Sequence, residues 1–580
     1  MAQYALSTIF ASMEKQWLRR NIPDEGLVEV LREKIGISSV LASLMAQRKL
    51  ENFETAKKYF NPHTNQLHDP FLMKGMHEAV ERIKQAMVLE EKILFYGDYD
   101  VDGTTSVSLI SLFFQEYPHT SYYIPSRQNE GYGVSAQGVD FAHENGFSLI
   151  IAMDCGIKAS EQVRRAKELG VDFIICDHHT PGEELPEAVA ILDPKQEDCP
   201  YPYKELSGCG LTFKLCCALS QHCELLKSDP FQFIDLVVVS IASDIVPVTG
   251  ENRVLAHFGL NKLNSKPLPG IERLKEMAGY TKSYTVTDVV FKLGPRINAA
   301  GRISDAKQAV ELMVGNEPES LDKIGVQVNH YNDTRRQIEQ QIIDDCLEKV
   351  KQDESHQQAV STVVYGENWH KGVIGIVASK LVDAFYKPTV VLTKKDKGFA
   401  VGSARSVEGF NLYRALKECD FMFEQFGGHQ AAAGLTLPIS EIENFQTAFD
   451  DVVRSMILPD MLVPKVWYDS EIALSSINWS FYNTLERMGP FGPENMRPTF
   501  VSRNAKPESI KVIGQKHLKF KLNSAIGSID CIGFNFGHVF EKLKPNSLTD
   551  ICYMVEVNEW QGDKFLQLNI KDLKIHEAES

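Results

Sequence analysis

The stretch GDYDVDGTTS, Gly97 to Ser106, decides how this chain folds. Three carboxylates, Asp98, Asp100 and Asp102, alternate along it, directly after the short apolar run Ile93 to Tyr96. Two later apolar runs end in the same manner. Leu149 to Met153 stops at Asp154-Cys155-Gly156, and Phe173 to Cys176 stops at Asp177-His178-His179. Amphipathic stretches such as EQVRRAKEL, Glu161 to Leu169, lie between them. Short apolar strands alternating with amphipathic helices predict βαβ units around a parallel sheet. In such sheets the site lies beyond the carboxyl ends of the strands. Here those ends carry acids and imidazoles.

Oxygen ligands suit Mg²⁺ and Mn²⁺, and Mn²⁺ also accepts imidazole. One strand end cannot enclose a cation, but three can. The segment DPFQFIDLVVVSIASD, Asp229 to Asp244, reads ambiguously as helix or buried strand, with a helix that delivers Asp244 to the same place preferred. That donor count suits two cations, the arrangement that clamps the attacking and leaving oxygens of a phosphoryl displacement. The D-x-D-x-D-G run also looks like the start of a calcium loop, which needs Glu at its twelfth position. Counting from Asp98 puts Leu109 there, so that reading fails. Taken alone, Gly97 to Gly103 could still be a solvated acidic turn.

Working outward, 580 residues predict about three to five domains. The N-terminal stretch MAQYALSTIFASMEKQWLRR reads as a short helix at a mature, cytoplasmic start, and residues to about 75 as small helices and turns. No apolar run approaches the ~20 residues of a membrane span. The 11 cysteines include no C-x-x-C pair, so Cys209, Cys216, Cys217 and Cys223 read as buried thiols rather than a zinc site. A net charge of −16 argues against general duplex coating and permits a local basic groove. After Pro295, RINAAGRISDA reads as a glycine-containing loop. Glu317 to Lys351 carries an apolar stripe at helical spacing (Leu321, Ile324, Val328, Tyr331, Ile338, Ile342), which predicts one long connecting helix. A second α/β unit follows, with strands at Ser361 to Tyr365 and Thr389 to Thr393 and a helix at Gly372 to Leu381. The alternating segments HLKFKLN, SIDCIGFNF and ICYMVEVNEW predict a small C-terminal barrel.

Asp100-Val101-Asp102-Gly103, Met153-Asp154-Cys155-Gly156, Asp177-His178-His179 and Ser243-Asp244 resemble the four motifs of the DHH phosphoesterases. YIPSRQNEGYG, Tyr123 to Gly133, and GPRINAAGRISDA, Gly294 to Ala306, resemble motifs of the RecJ branch. GSARS, GFNL and FGGHQAAAG resemble the DHH-associated domain. The resemblance covers nearly the whole chain. It implies a multidomain α/β protein: an N-terminal helical segment (1–75), a parallel-sheet DHH domain (76–310), a connecting helix (311–356), a DHH-associated domain (357–445) and an OB-fold (446–580).

It further implies that Asp100, Asp102, Asp154, His178 and Asp244 hold two Mn²⁺ or Mg²⁺ ions, with Asp154 bridging and His179 facing a substrate phosphate. Many relatives place histidine four positions before the first Asp of D-x-D. Tyr96 stands there instead, which leaves Asp98 or water to complete one ion's shell. Arg127, Ser403 and Arg405 are implied at a 5′ phosphate. Arg296, Asn298 and Arg302 are implied at phosphates near the ions, with Gly428 and His429 at a further one. Arginine's planar fork suits such a role, although any lone arginine could equally be a surface charge. Tyr132 and Phe410 are candidate stacking platforms.

The implied activity is 5′→3′ hydrolysis of single-stranded DNA to nucleoside 5′-monophosphates, in recombination and repair. The implied protein is a monomer, with a single-strand-binding protein and a helicase as expected partners. Two rivals have other requirements. An oligoribonuclease or cyclic-dinucleotide phosphodiesterase of the same superfamily would not need the C-terminal barrel. A binding protein with a dead metal site would not need the full ligand set.

Overall fold

The structure, a computed structural model, describes residues 13–353, 356, 358–396, 398–524 and 527–576. It divides into two compact units. One comprises 57–335 with 487–497, and the other the remaining residues.

In the first unit, five strands form a wholly parallel sheet in the order Thr120–Tyr123, Lys92–Gly97, Phe147–Met153, Asp172–Cys176, Ala190–Leu192. The central strands are buried on both faces, as a sheet covered by helices requires. Their register aligns Gly97 with Met153, Met153 with Cys176, and Cys176 with Leu192. The residue after each is an aspartate, so Asp98, Asp154, Asp177 and Asp193 follow four strand ends that stand in line. The helix Val101–Phe113 leaves the first of these ends and is buried almost all round. Its hydroxyls would be costly there, but Thr104, Thr105, Ser106 and Ser108 each donate to the carbonyl four residues earlier. Gly103 allows the helix to start where it does, because a Cβ there would stand 2.3 Å from the Asp98 carbonyl oxygen.

Asp229–Asp244 is helical, as preferred: a 3₁₀ turn, Pro230–Phe233, runs into the helix Ile234–Ser243, with Asp244 as its C-cap. RINAAGRISDA is not a loop. Gly294–Ile303 is a helix with Pro295 in its first turn. Its glycines serve close approach rather than turning: a Cβ on Gly294 would sit 2.8 Å from Ser243 Oγ, and one on Gly301 would sit 2.9 Å from the Tyr99 carbonyl oxygen.

The long helix is Pro318–Gln352. The second unit contains a five-stranded, mostly antiparallel sheet ordered Gln425–Gly428, Ala432–Pro438, Phe399–Arg405, Thr389–Lys394, Thr362–Gly366. It also contains a seven-stranded sheet that ends in the long hairpin Thr549–Trp560/Asp563–Ile575. The expected N-terminal helix is corrected in part. Met1 to Ser12 lies outside the described residues, and Gln16–Arg19 is a strand paired in parallel with Lys465–Tyr468. Phe410 is 2% exposed in the core of this unit and is no stacking platform. Cys209 and Cys216 are buried on the helix Gly208–His222. Among the described residues no helix is long and apolar enough to cross a membrane.

Candidate metal centre

A strand end and two helix ends bring Asp154, Asp102 and Asp244 together around one imidazole. His178 Nε2 lies 3.1 Å from Asp154 Oδ1, 3.5 Å from Asp244 Oδ2 and 3.7 Å from Asp102 Oδ2. Donor atoms of Asp102, His178 and Asp244 lie within 4.8 Å of one another, as do those of Asp154, His178 and His179. Asp154 has φ +60°, an uncommon conformation for a residue other than glycine and the kind of local strain found where a side chain must be aimed. Asp100 caps the Val101–Phe113 helix, accepting from the backbone N–H groups of Asp102 and Gly103.

Asp102 is cradled by groups the sequence analysis did not single out. The Gly208 and Cys209 amides donate to it at 2.7 and 2.8 Å, and Ser240 Oγ at 2.6 Å. The start of a helix thus points its free N–H groups at a carboxylate. The second is Asp177, named above at its strand end but given no role. It accepts from the backbone N–H groups of Ile157, His178 and His179 and from His179 Nδ1, the last at 2.7 Å. Burial works against its charge, but these bonds outweigh burial and hold its pKa below the usual carboxylate value. The His179 ring is thereby fixed with Nε2 turned outward, 3.0 Å from the Tyr132 hydroxyl. Asp193, the third, is fully buried and pushed up to about 7 by burial. Its signal was visible: Ala190–Leu192 is one more short apolar run that stops at an aspartate.

The electrostatics test whether divalent cations fit. Burial, reinforced by Asp100, pushes Asp98 up to about 8, and burial, reinforced by Asp102, does the same to Asp244. Asp100 and Asp154 are raised for the same reasons. Burial lowers His178, so the imidazole at the centre is neutral and offers a lone pair rather than a positive charge. Asp98 Oδ2 is buried without a hydrogen-bond partner. An isolated buried charge of this kind is costly unless paired or bound to metal. Repelling carboxylates around a neutral imidazole are the donor set that hard divalent cations require. Tyr96 is not part of it. Its ring is buried against Tyr123 and its hydroxyl bonds to the Ser135 amide and the Gly133 carbonyl.

The other expected residues fall into separate groups. The Arg127 guanidinium lies over the Tyr99 ring at 4.9 Å. Arg302 lies one residue beyond Gly301, whose backbone meets Tyr99, and Asn298 is half-buried on the same helix. Arg296, implied by the resemblance at a phosphate, is 7% exposed on this helix and donates to Asn329 Oδ1, the Lys292 carbonyl and the Met277 carbonyl. In the second unit, Arg405 Nη1 donates to Ser403 Oγ at 3.0 Å. Both side chains face Gly375, in the first turn of the helix Ile374–Phe385. Gly428 and His429 lie at the end of the neighbouring hairpin, and His429 is exposed. A hydroxyl, a guanidinium and a helix start are donors suited to an anion.

Residues 92–241 match the DHH family, N-terminal domain, 356–455 the DHHA1 domain, and 468–572 the RecJ OB domain. Fold and site together define a phosphoesterase of the DHH class. The single-stranded-DNA-specific exonuclease RecJ of Bacillus subtilis is 38% identical over 96% of this chain and 70% of its own length. That of Dickeya dadantii is 32% identical over 93% and 96%. The chain belongs to the RecJ family. The crystal structure of RecJ from Thermus thermophilus with Mn²⁺ has the same fold, with a TM-score of 0.83 at 24% identity over 97% of this chain and 80% of that one. A crystal structure of exonuclease RecJ bound to manganese shares 28% identity with a TM-score of 0.59, over 67% of this chain and 96% of that one.

Proposed function

We propose that this chain is a single-stranded-DNA-specific exonuclease. It hydrolyses phosphodiesters from the 5′ end, releases nucleoside 5′-monophosphates and serves DNA recombination and repair. The observation that carries the reading is the row of acids closed by His178 and Asp244 at the carboxyl edge of the parallel sheet. Asp98, Asp100, Asp102, Asp154, His178 and Asp244 would hold two divalent cations, Mn²⁺ or Mg²⁺. Such a pair supplies positive charge to the reacting phosphate and acidifies water near neutral pH.

The chain's own residues do the rest. The Asp102 cradle and the Asp177 bonds fix ligands in place before substrate arrives. Burial opposes a charge on His179, but the hydrogen bond and charge of Asp177 raise its pKa, so that Nε2–H can donate to a phosphate oxygen. Asn298 and Arg302 steer phosphates near the cations. Arg127, Ser403 and Arg405 take the 5′ phosphate, and Gly428 and His429 take a further one. The seven-stranded sheet offers a groove of about 570 Å³ bordered by Glu471, Arg503, Asn504, Lys506 and Asn523, in which Arg503 is paired with Glu471 and Asp550 and Lys506 and the two asparagines are the groups proposed for the strand downstream. The protein acts as a monomer, with a single-strand-binding protein and a helicase as partners. The match to the RecJ OB domain disfavours the small-substrate phosphodiesterase reading.

The test is incubation with Mn²⁺ and single-stranded DNA labelled at either end, beside its duplex. Mononucleotides should appear stepwise from the 5′ end of the single strand alone. Cleavage confined to di- or trinucleotides would overturn the reading.

A further inference from the structure

The first unit contains one segment far away in sequence, Arg487–Arg497, RMGPFGPENMR. It closes on itself through Asn495, which exchanges backbone hydrogen bonds with Gly492 and donates its side-chain amide to the Met488 and Pro490 carbonyls. Tyr59 and Arg253 hold it to the unit. The Tyr59 hydroxyl reaches the Met488 carbonyl at 2.7 Å and Asn495 Oδ1 at 2.8 Å. Arg253 lies over the Tyr59 ring and donates to the Gly489 carbonyl at 2.6 Å.

The segment also packs on the loop that follows Asp244. The Val248 amide donates to the Pro493 carbonyl at 2.8 Å. Gly492 lies so close to Val248 that a Cβ would stand 2.4 Å from Val248 Cγ2. The loop is under tension at its start. Ile245 has φ +61°, a conformation that a β-branched residue adopts only when its surroundings impose it, and its side chain is 63% exposed. The Tyr203 hydroxyl and the Asn252 side-chain amide both donate to the Pro247 carbonyl. Ile245 stands between the helix Ile234–Ser243 and the held residues Pro247 and Val248.

We propose that Arg487–Arg497 is a positioning strap that sets the direction of the Asp244 carboxylate by holding Val248, and so tunes the affinity of the metal centre from a segment far outside the DHH domain in sequence. The proposal rests on the two-cation reading above. Asp244 caps the helix Ile234–Ser243 and leads directly into the loop the segment holds, so a shift of Val248 is transmitted to it through three residues of backbone.

The variant is Gly492→Ala, whose methyl pushes directly on Val248. The rescue is Gly492→Ala with Val248→Ala, which removes the atom the methyl meets. Three quantities are read on the full chain: Mn²⁺ affinity by titration, thermal midpoint, and hydrogen exchange of the Ile245–Thr249 amides in metal-free protein. The strap predicts that Gly492→Ala weakens Mn²⁺ binding about tenfold and speeds exchange at Val248, with the midpoint nearly unchanged, and that the double variant regains most of the affinity. Unchanged Mn²⁺ affinity in a folded Gly492→Ala protein overturns the strap alone. So does weakened affinity that Val248→Ala does not restore, because the effect is then general destabilisation. A wild-type chain that takes up no Mn²⁺ overturns the strap together with the metal centre itself.

Discussion

The carboxyl edge of the parallel sheet sets Asp98, Asp154, Asp177 and Asp193 after aligned strand ends, while the antiparallel sheet of the other unit sets Ser403 and Arg405 beside a helix start. One region collects acceptors that are uncomfortable until cations arrive. The other gathers a hydroxyl and a guanidinium, the groups proposed above for a 5′ phosphate. Parallel strands create the first because all their ends point one way, so a shared register turns one acid per strand into a row. The second needs no such row: residues two apart on one strand share a face, here beside Gly375 in the first turn of a helix.

The contrast can be broken at each pole. Removing a central acid should have the largest effect. Asp154→Ala is expected to lower exonuclease turnover by on the order of 10³-fold or more, as loss of a preorganised electrostatic group does. Near-normal rates at saturating Mn²⁺ would refute the role given to Asp154. Arg405→Ala should act on recognition instead. We expect KM for 5′-phosphorylated DNA to rise about 10- to 100-fold, the value of a charge-assisted hydrogen bond, with little change for a 5′-hydroxyl end. An equal loss on both ends would remove Arg405 from the 5′ phosphate.

The buried acids of the two units should also respond to pH with opposite sign. Asp98 and Asp244 have folded-state values raised to about 8, above their unfolded values. Their neutral forms are favoured by the fold, so that contribution is complete at low pH and is lost as pH rises toward 8. Metal-free protein should therefore melt about 5 °C lower at pH 8.5 than at pH 5.5, and Mn²⁺ should abolish the difference. A metal-free midpoint that rises with pH would contradict this.

Asp450, in the other unit, is the reverse case. Burial opposes its charge, but Ser361 and Arg454 outweigh burial and lower its pKa. Its contribution is present above the unfolded value near 4 and lost as pH falls through the lower folded value. Asp450→Ala strands the Val360 and Ser361 amides and should cost about 1–3 kcal/mol at pH 7, read from denaturant unfolding. A change confined to the metal centre would contradict that placement.

The sheet, the acids at its carboxyl edge and, as the preferred of two readings, the helix before Asp244 were legible because each rests on a local pattern: an apolar run with an acid at its end. The rest depends on tertiary contacts. Gly294 and Gly301 look like loop residues, and their helix is evident only once Ser243 and the Tyr99 backbone are seen pressed against them. Arg296 is buried on that helix. Gly208, Cys209 and Ser240 show no motif, since two of them act through backbone amides that any residue carries. Gln16–Arg19 is a strand because of a partner about 450 residues away, which no local reading supplies. Asp193 could have been found by applying the strand-end rule once more.

The central claim is that one sheet edge holds two cations, and counting them tests it most directly. Titration of metal-free protein with Mn²⁺ near pH 7.5, following the free ion by electron paramagnetic resonance, should saturate at two ions per chain, and the Asp154→Ala chain should fall short of two. A wild-type chain that binds one or none, or a variant that still binds two with unchanged affinity, would contradict the account.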